Sequence, residues 1–247
     1  MRHSDYIDEP ANFSAVLQTA LSAVQYRIAH ATRLADRPSG SVKLLAVSKT
    51  FPVEAIIAAH GLGVCDFGEN YVQEAVEKII ALAFLRHQLV WHFIGPVQSN
   101  KTQIIATHFD WLHSLDRLKI AQRLHDQRPS HLTPLQVCLQ VNISHEVSKS
   151  GLAPDAVVEM ALQVSQLKNL RLRGLMALPA PSALPDSQPF RQLRELFDLC
   201  NHRLAQHRFP LLDTLSMGMS ADLETAIKEG ATIVRVGSAI FGERNFR

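Results

Sequence analysis

From about residue 43 onward, short apolar runs alternate with longer amphipathic segments, and this alternation limits the possible folds more than any other feature. The runs that we predict to be strands are residues 43–48, 63–67, 90–94, 111–114, 135–142, 172–177, 214–217 and 232–236. Strands that are apolar on both faces and separated by helices pair in parallel beneath covering helices. Eight such units predict an α/β fold, a closed (β/α)8 TIM barrel, better than a doubly wound sheet, which usually has fewer strands.

The intervals between these runs have helical patterns. We predict helices at residues 53–60, 69–85, 97–107, 117–127, 154–167, 190–207 and 221–229, with an additional N-terminal helix at 11–35. Residues 179–189 are rich in proline and small residues, which prevents helix and ladder formation, so they form a loop after the sixth strand. Because the strand and helix pattern resumes after this loop, we predict one domain over residues 1–247 rather than two joined by a linker.

The composition argues against several classes of protein. The net charge is only +2, the basic residues are scattered and 6% of residues are aromatic, so we predict no nucleic-acid partner. The N-terminus is polar and no apolar segment is long enough to span a bilayer, so we predict no signal peptide and no membrane partner. Three distant cysteines predict reduced thiols in a cytoplasmic protein. The 12 histidines lack a metal-binding spacing, so no metal site is predicted.

Lys49 ends the first apolar run and is followed at once by Thr50, Phe51 and Pro52, which stop the strand. An amine with apolar neighbours is less readily charged and can act as a nucleophile toward aldehydes. Schiff-base chemistry with a carbonyl substrate or with pyridoxal 5'-phosphate (PLP) is therefore one hypothesis. The alternative is a lysine at a strand end that extends to water.

Polar residues collect where the predicted strands end, on the barrel face that carries active sites. They include Ser48-Lys49-Thr50, Gly68-Glu69-Asn70-Tyr71, His92, Asn142 with Ser148-Lys149-Ser150-Gly151, Met176, Ser216-Met217-Gly218-Met219-Ser220, Arg235 and Gly237-Ser238. The last two strand ends are rich in glycine and serine, as in barrels that bind phosphate through backbone N–H groups and a short helix. Each loop alone is equally explained as a tight turn. A phosphate cradle facing a lysine amine is what PLP requires.

Seven motifs occur in order along the chain. They are AVSKT (46–50), FGENYVQE (67–74), WHFIGPVQSNK (91–101), SKSG (148–151), GLMA (174–177), SMGMS (216–220) and VRVGSAIFG (234–242). Together they resemble the YggS/PROSC family of pyridoxal-phosphate homeostasis proteins over nearly the whole chain after residue 40. The loop at 179–189 and residues 144–147 depart from the family pattern and leave only loop contacts undefined.

The resemblance implies a barrel like the N-terminal domain of alanine racemase, of PLP fold type III. It implies a Schiff base between PLP and Lys49, phosphate contacts from Ser216, Gly237 and Ser238, and Arg235 near the pyridine nitrogen. The remaining pocket neighbours that it implies are Asn70, His92, Lys149 and Met217. The implied role is in vitamin B6 and amino-acid homeostasis, with PLP, amino acids and apo-forms of PLP-dependent enzymes as partners. We predict a monomer.

Two functions remain open, a non-catalytic protein that stores or delivers PLP and a weak PLP-dependent racemase, lyase or transaminase-like enzyme. Related racemases use a tyrosine from an additional domain of the partner subunit, and we expect no such domain here, because the chain ends soon after the eighth-strand motif. Arg235 beside the ring nitrogen would leave that nitrogen unprotonated and the ring a weaker electron sink. We therefore predict a protein that is not an enzyme.

Overall fold

A computed structural model describes residues 9–144, 150–179 and 187–242 of the chain. Within these ranges eight parallel strands close into one barrel in sequential order. The strands are β1 (Lys43–Val47), β2 (Asp66–Glu69), β3 (Val90–Phe93), β4 (Trp111–Leu115), β5 (Leu135–Val141), β6 (Leu170–Ala177), β7 (Thr214–Ser216) and β8 (Ile233–Val236). β1 pairs with β8, with Leu45 opposite Arg235, and this pairing completes the ring. The predicted TIM barrel is confirmed.

Helices surround the strands. They are α1 (Glu9–Leu34), α2 (Val53–Gly61), α3 (Val72–Ala81), α4 (Thr102–His108), α5 (Leu118–Gln127), α6 (Val157–Val164), α7 (Gln188–Gln206), α8 (Leu223–Lys228) and α9 (Ser238–Phe241). Short 3-10 turns at Ala83–Leu85, Ser99–Lys101 and Pro154–Ala156 occupy parts of the longer helices that the sequence predicts. No helix in the described ranges is both long and apolar enough to cross a membrane. The prediction of one domain over residues 1–247 stays a prediction.

The second strand differs from its prediction by three residues at its start. Gly63 follows α2 with a φ of +90°, a conformation that suits glycine, so residue 63 belongs to the turn that ends the helix. β2 therefore begins at Asp66 and includes Gly68 and Glu69, and α3 begins only at Val72. This shift makes Glu69 a buried strand residue instead of part of a helix.

The additional N-terminal helix, α1, is confirmed, and it packs beside α8 and α9, the last helices of the barrel. Its buried residues Leu17, Leu21, Val24 and Ile28 follow helical spacing and join the main hydrophobic core. Each such side chain contributes about 1.5–3 kcal/mol when fully buried. On the same helix, Arg27 donates to the carbonyl oxygen of Ser220 at 2.9 Å and pairs with Glu224 at 2.6 Å. α1 therefore holds the loop after β7 in place.

Candidate functional site

A cleft of about 500 Å³ opens among the loops that follow the strands. It is lined by Val47, Lys49, Phe51, Asn70, Ile94, Met176, Leu178, Met219, Ser220, Ala221, Arg235, Gly237, Ser238 and Gly242. These residues come from six different strand ends, so only the closed barrel brings them together. Its volume suits a cofactor-sized ligand.

A larger cavity of about 860 Å³ lies elsewhere, between α1 and the residues that lead into β1. Tyr26, His30, Arg33 and Arg37 are part of its lining. Arg37 already donates to the carbonyl oxygens of Ile227 and Ala231, at 2.8 and 2.7 Å. We regard the 500 Å³ cleft as the candidate site, because sites of parallel barrels lie where the strands end.

Lys49 is half-buried and lies in a turn that its neighbours hold firmly. Thr50, directly after it, has a φ of +68°, which is strained for a β-branched residue. The N–H of Thr50 donates to Glu74 Oε1 at 2.6 Å, and the hydroxyl of Ser48 donates to Glu69 Oε1 at 2.7 Å. These bonds anchor the residue on each side of Lys49.

The anchoring carboxylates are held by a buried lysine. Lys78 Nζ donates to Glu69 Oε1 at 2.8 Å, to Glu74 Oε1 at 2.6 Å and to the carbonyl oxygen of Ser48 at 2.8 Å. Burial raises the pKa of Glu69, and the charge of Lys78 opposes that rise. Glu69 Oε2 is buried and has no hydrogen-bond partner among the described residues. We call Glu69, Glu74 and Lys78 the anchoring triad.

Asn70 lines the cleft and carries a buried polar atom without a partner. Its Oδ1 is buried and makes no hydrogen bond within the described part of the chain. Leaving such an atom unpaired costs about 1–3 kcal/mol. Asn70 therefore places an unpaired polar atom in the wall of the cleft.

Arg235 brings a buried cation to the cleft and is only 4% exposed. It donates from Nη1 to Ser216 Oγ at 2.7 Å and from Nη2 to the carbonyl oxygen of Ala177 at 2.8 Å. Burial lowers the pKa of Arg235 to about 10. The guanidinium therefore stays charged near neutral pH and acts there only as a hydrogen-bond donor.

Two short loops after β7 and β8 form the other end of the cleft. Gly218 has a φ of +93°, and an added Cβ would lie 2.6 Å from the Cβ of Ala226, so a larger residue does not fit this turn. After β8 the helix α9 begins at Ser238, and its first backbone bonds are donated by Ile240 and Phe241 to Gly237. The earlier N–H groups of a helix have no partner within it. Ser220 and Ser238 line the cleft beside these groups.

Five of the predicted site residues line this cleft, Lys49, Asn70, Arg235, Gly237 and Ser238. Ser216 does not line it, because its hydroxyl lies behind Arg235 in the barrel interior. Met217 packs in the apolar core. His92 is completely buried and bonds to Asp66 and His113. Lys149 lies outside the described residues.

Ser220 is not among the predicted site residues, although it ends the motif at 216–220. The available signal was its position two residues after Gly218, where the chain reverses toward α8. His113 and Asp66 were also missed. Nothing in their local sequence distinguishes them from ordinary strand residues.

The proteins that are similar to this chain in sequence and in structure agree with one another. Residues 20–245 match the family model described as alanine racemase, N-terminal domain. A pyridoxal phosphate homeostasis protein of Pseudomonas aeruginosa is 57% identical over 228 residues, which is 92% of this chain and 95% of that protein. The solved structure of PipY from Synechococcus elongatus, with PLP bound, is 38% identical with a TM-score of 0.74, covering 87% of this chain and 100% of PipY.

An alanine racemase of Clostridium difficile shares the fold alone. It is 14% identical with a TM-score of 0.67, and the match covers 93% of this chain but 57% of the racemase.

Proposed function

The chain belongs to the pyridoxal phosphate homeostasis proteins of the alanine racemase N-terminal domain family, and from this premise we propose that it binds PLP in the 500 Å³ cleft. The observation that carries the proposal is the joint lining of one cleft by Lys49, Arg235 and the glycine and serine loops. The amide side chain of Asn70, which lines the same cleft, supports a polar ligand there. When bound, PLP supplies an aldehyde and an aromatic ring that withdraws electrons.

We propose that Lys49 Nζ forms the Schiff base that retains the cofactor. The anchoring triad supports this role, because it fixes the backbone of Ser48 and Thr50 and so limits where Nζ can reach. An amine at the mouth of a strand, with Val47 and Phe51 beside it in the cleft, has the environment that such chemistry uses.

We propose that the phosphate binds at the two loops, through the hydroxyls of Ser220 and Ser238 and the backbone N–H groups at Gly237 and Ser238. N–H groups at the start of a helix or in a turn attract anions. Ser216 contributes indirectly in this proposal, because its hydroxyl already bonds to Arg235. Arg235 would then donate to the pyridine nitrogen across the cleft.

We propose a carrier or buffer of PLP in the cytoplasm, not an enzyme. A guanidinium that only donates keeps the ring nitrogen unprotonated, which weakens carbanion stabilisation. Within the described ranges no tyrosine lines the cleft, and Tyr71 is 52% exposed.

Cys65, Cys138 and Cys200 are unpaired thiols, in keeping with a reducing compartment. The monomeric state stays a prediction.

Amino acids are further proposed partners. A cavity of about 270 Å³ adjoins the cleft and shares Asn70, Ile94 and Leu178 with it. Its lining includes the amide side chains of Gln140 and Asn142. Such groups can bind the polar backbone of an amino acid that enters beside the cofactor.

Transfer of PLP tests the carrier function. Incubated with the apo-form of a PLP-dependent enzyme, the loaded protein should restore that enzyme's activity, and the same protein without PLP should not. In deuterated solvent, the loaded protein should exchange the α-hydrogen of common amino acids no faster than free PLP does. Lys49-dependent exchange at enzyme-like rates would instead establish the weak-enzyme alternative.

Replacing Gly237 with valine tests the phosphate loops. The new Cβ would lie 3.1 Å from the carbonyl oxygen of Val47, so the loop or Val47 must give by a few tenths of an ångström, and the two valine methyl groups add further bulk there. We expect PLP affinity to fall by about 10–100-fold, the equivalent of losing one charge-assisted hydrogen bond of about 1.5–3 kcal/mol. Pyridoxal, which lacks the phosphate, should lose far less. Gly61→Val is the control, because an added Cβ at Gly61 has nothing within 4 Å. Equal losses for both ligands would show that the loop does not recognise phosphate.

A further inference from the structure

Four polar side chains form a hydrogen-bonded chain through the barrel interior and end on the guanidinium of Arg235. His92 Nε2 lies 3.0 Å from Asp66 Oδ1, and His92 Nδ1 lies 2.9 Å from His113 Nε2. His113 Nδ1 lies 2.8 Å from Ser216 Oγ, which accepts from Arg235 Nη1 at 2.7 Å. We call Asp66, His92, His113 and Ser216 the interior relay.

The interior relay crosses the barrel from one rim to the other. Asp66 is the first residue of β2, whereas Ser216 is the last residue of β7. His92, His113 and Ser216 are completely buried, and only Asp66 retains some exposure, with 12% of its side chain accessible. Polar groups at such depth are costly unless they are hydrogen-bonded. The cleft is thus connected by hydrogen bonds to the opposite face of the protein.

With both imidazoles neutral, the chemistry at the two ends gives every bond in the relay one direction. Arg235 can only donate, and an ionised Asp66 can only accept. Ser216 Oγ therefore accepts from Arg235 and gives its own proton to His113 Nδ1. His113 then donates from Nε2 to His92 Nδ1, and His92 donates from Nε2 to Asp66. All four bonds are satisfied with both imidazoles neutral and each carrying its proton on Nε2.

The pKa directions agree with this assignment. Burial lowers the pKa of His113 well below its usual value, and the charge of Arg235 adds to the effect. Burial also lowers the pKa of His92, although its bond to Asp66 opposes the change. Burial alone would raise the pKa of Asp66, but the hydrogen bond from His92 and the charge of Lys43 hold it below its usual range.

We propose that Asp66, His92 and His113 are positioning residues, which fix the proton of Ser216 and thereby hold Arg235 in one orientation at the cleft. The proposal rests on the proposed binding of PLP, since the group that Arg235 meets there is the cofactor ring. Asp66 sets the direction of the hydrogen bonds. A carboxylate at its end of the interior relay leaves each imidazole nitrogen only one role, either donor or acceptor. His92 is further held by stacking on Trp111, with ring centroids 5.3 Å apart.

Acid should weaken this arrangement. The charged groups that act on the two imidazoles are Asp66 on β2, Lys43 on β1, Asp110 before β4 and Arg235 on β8. Farther out, Cys138 on β5 interacts with Arg235, and Arg173 on β6 lies over Trp111, which stacks on His92. Each imidazole has a folded-state pKa below the unfolded value near 6.5, so only the unfolded chain takes up protons just below that pH. The unfolding equilibrium constant should rise by up to about tenfold per pH unit for each imidazole as the pH falls from 6.5.

The decisive comparison is Asp66→Asn against Lys43→Met. The asparagine amide can donate or accept, so the direction of the relay is no longer imposed, whereas Lys43→Met removes the neighbouring salt bridge and keeps the carboxylate. Nitrogen-15 NMR of the ligand-free protein should show His92 and His113 neutral and protonated at Nε2 in the wild type and in Lys43→Met. In Asp66→Asn the Nδ1-protonated form should appear. Affinities for PLP and for pyridoxal should both fall about three- to tenfold, the loss of roughly one neutral hydrogen bond.

The outcomes separate this proposal from the proposed function. An Nδ1-protonated or charged imidazole in the wild type at pH 7.5 would overturn the relay, even if Asp66→Asn fails to fold. Unchanged affinities in Asp66→Asn, or a loss confined to PLP, would also overturn it, because the cofactor ring is common to both ligands. If the wild-type protein binds neither ligand, the proposed function fails, whereas the ligand-free spectra and acid stability still decide the relay.

Discussion

Lys49→Ala should abolish the visible absorption band that a Schiff base of PLP gives to the loaded protein. Lys49 is the lysine that lines the cleft among the described residues. Alanine removes the amine that would bond to the aldehyde carbon, so no imine can form. Absorption spectra of wild type and variant after incubation with PLP measure the effect directly, and we expect complete loss of the band.

Two further lysine substitutions show whether the loss of the band is specific to the amine of Lys49. Lys49→Arg keeps the positive charge but cannot form the imine, so it should also lack the band. Lys101→Ala, in the 3-10 turn after β3, should retain it. Borohydride reduction of the loaded wild type should label the peptide that contains Lys49. Labelling of Lys101 or Lys149 alone would contradict the assignment.

Lys78→Met should reduce the free energy of unfolding by about 3–5 kcal/mol at neutral pH, the usual cost of breaking a buried ion pair. Lys78 is 5% exposed and pairs with Glu69, which is completely buried. Its removal leaves the Glu69 carboxylate with an uncompensated charge and releases the carbonyl oxygen of Ser48 beside Lys49. Chemical denaturation of the ligand-free protein measures the loss, and Lys119→Met on the exposed face of α5 is the control.

The pH dependence of the same variant identifies the cause. The pKa of Glu69 is already raised by burial, and losing the charge of Lys78 raises it further. An acid whose pKa is higher in the folded state stabilises the fold below its unfolded pKa and loses that contribution as the pH rises. The defect of Lys78→Met should therefore be smaller at pH 5 than at pH 8. Adding Glu69→Gln should recover part of the loss, and a defect that is independent of pH would argue against a stranded carboxylate.

Local sequence patterns were sufficient to predict the barrel and the residues on one side of the site. Eight apolar runs separated by amphipathic helices leave few arrangements that bury both faces of every strand, so the closed barrel follows from the sequence. Parallel strands bring their ends to one face, which is why the prediction that Lys49, Asn70, Arg235, Gly237 and Ser238 lie near one another holds in the structure. The shift of β2 shows the limit, because the turn at Gly63 depends on how α2 ends.

The sequence thus determined which strand ends carry the polar residues of the site. The tertiary structure decided the direction in which each of these side chains points. Successive residues of a strand face opposite sides, so a boundary uncertain by one residue leaves the choice between barrel interior and helix layer open. Ser216 consequently lies behind Arg235 and Met217 lies in the core, while Ser220 lines the cleft. His92 and His113 are 21 residues apart and come within 2.9 Å only through the pairing of β3 with β4. Contacts between strands depend on the stagger and closure of the whole barrel, which no single segment encodes.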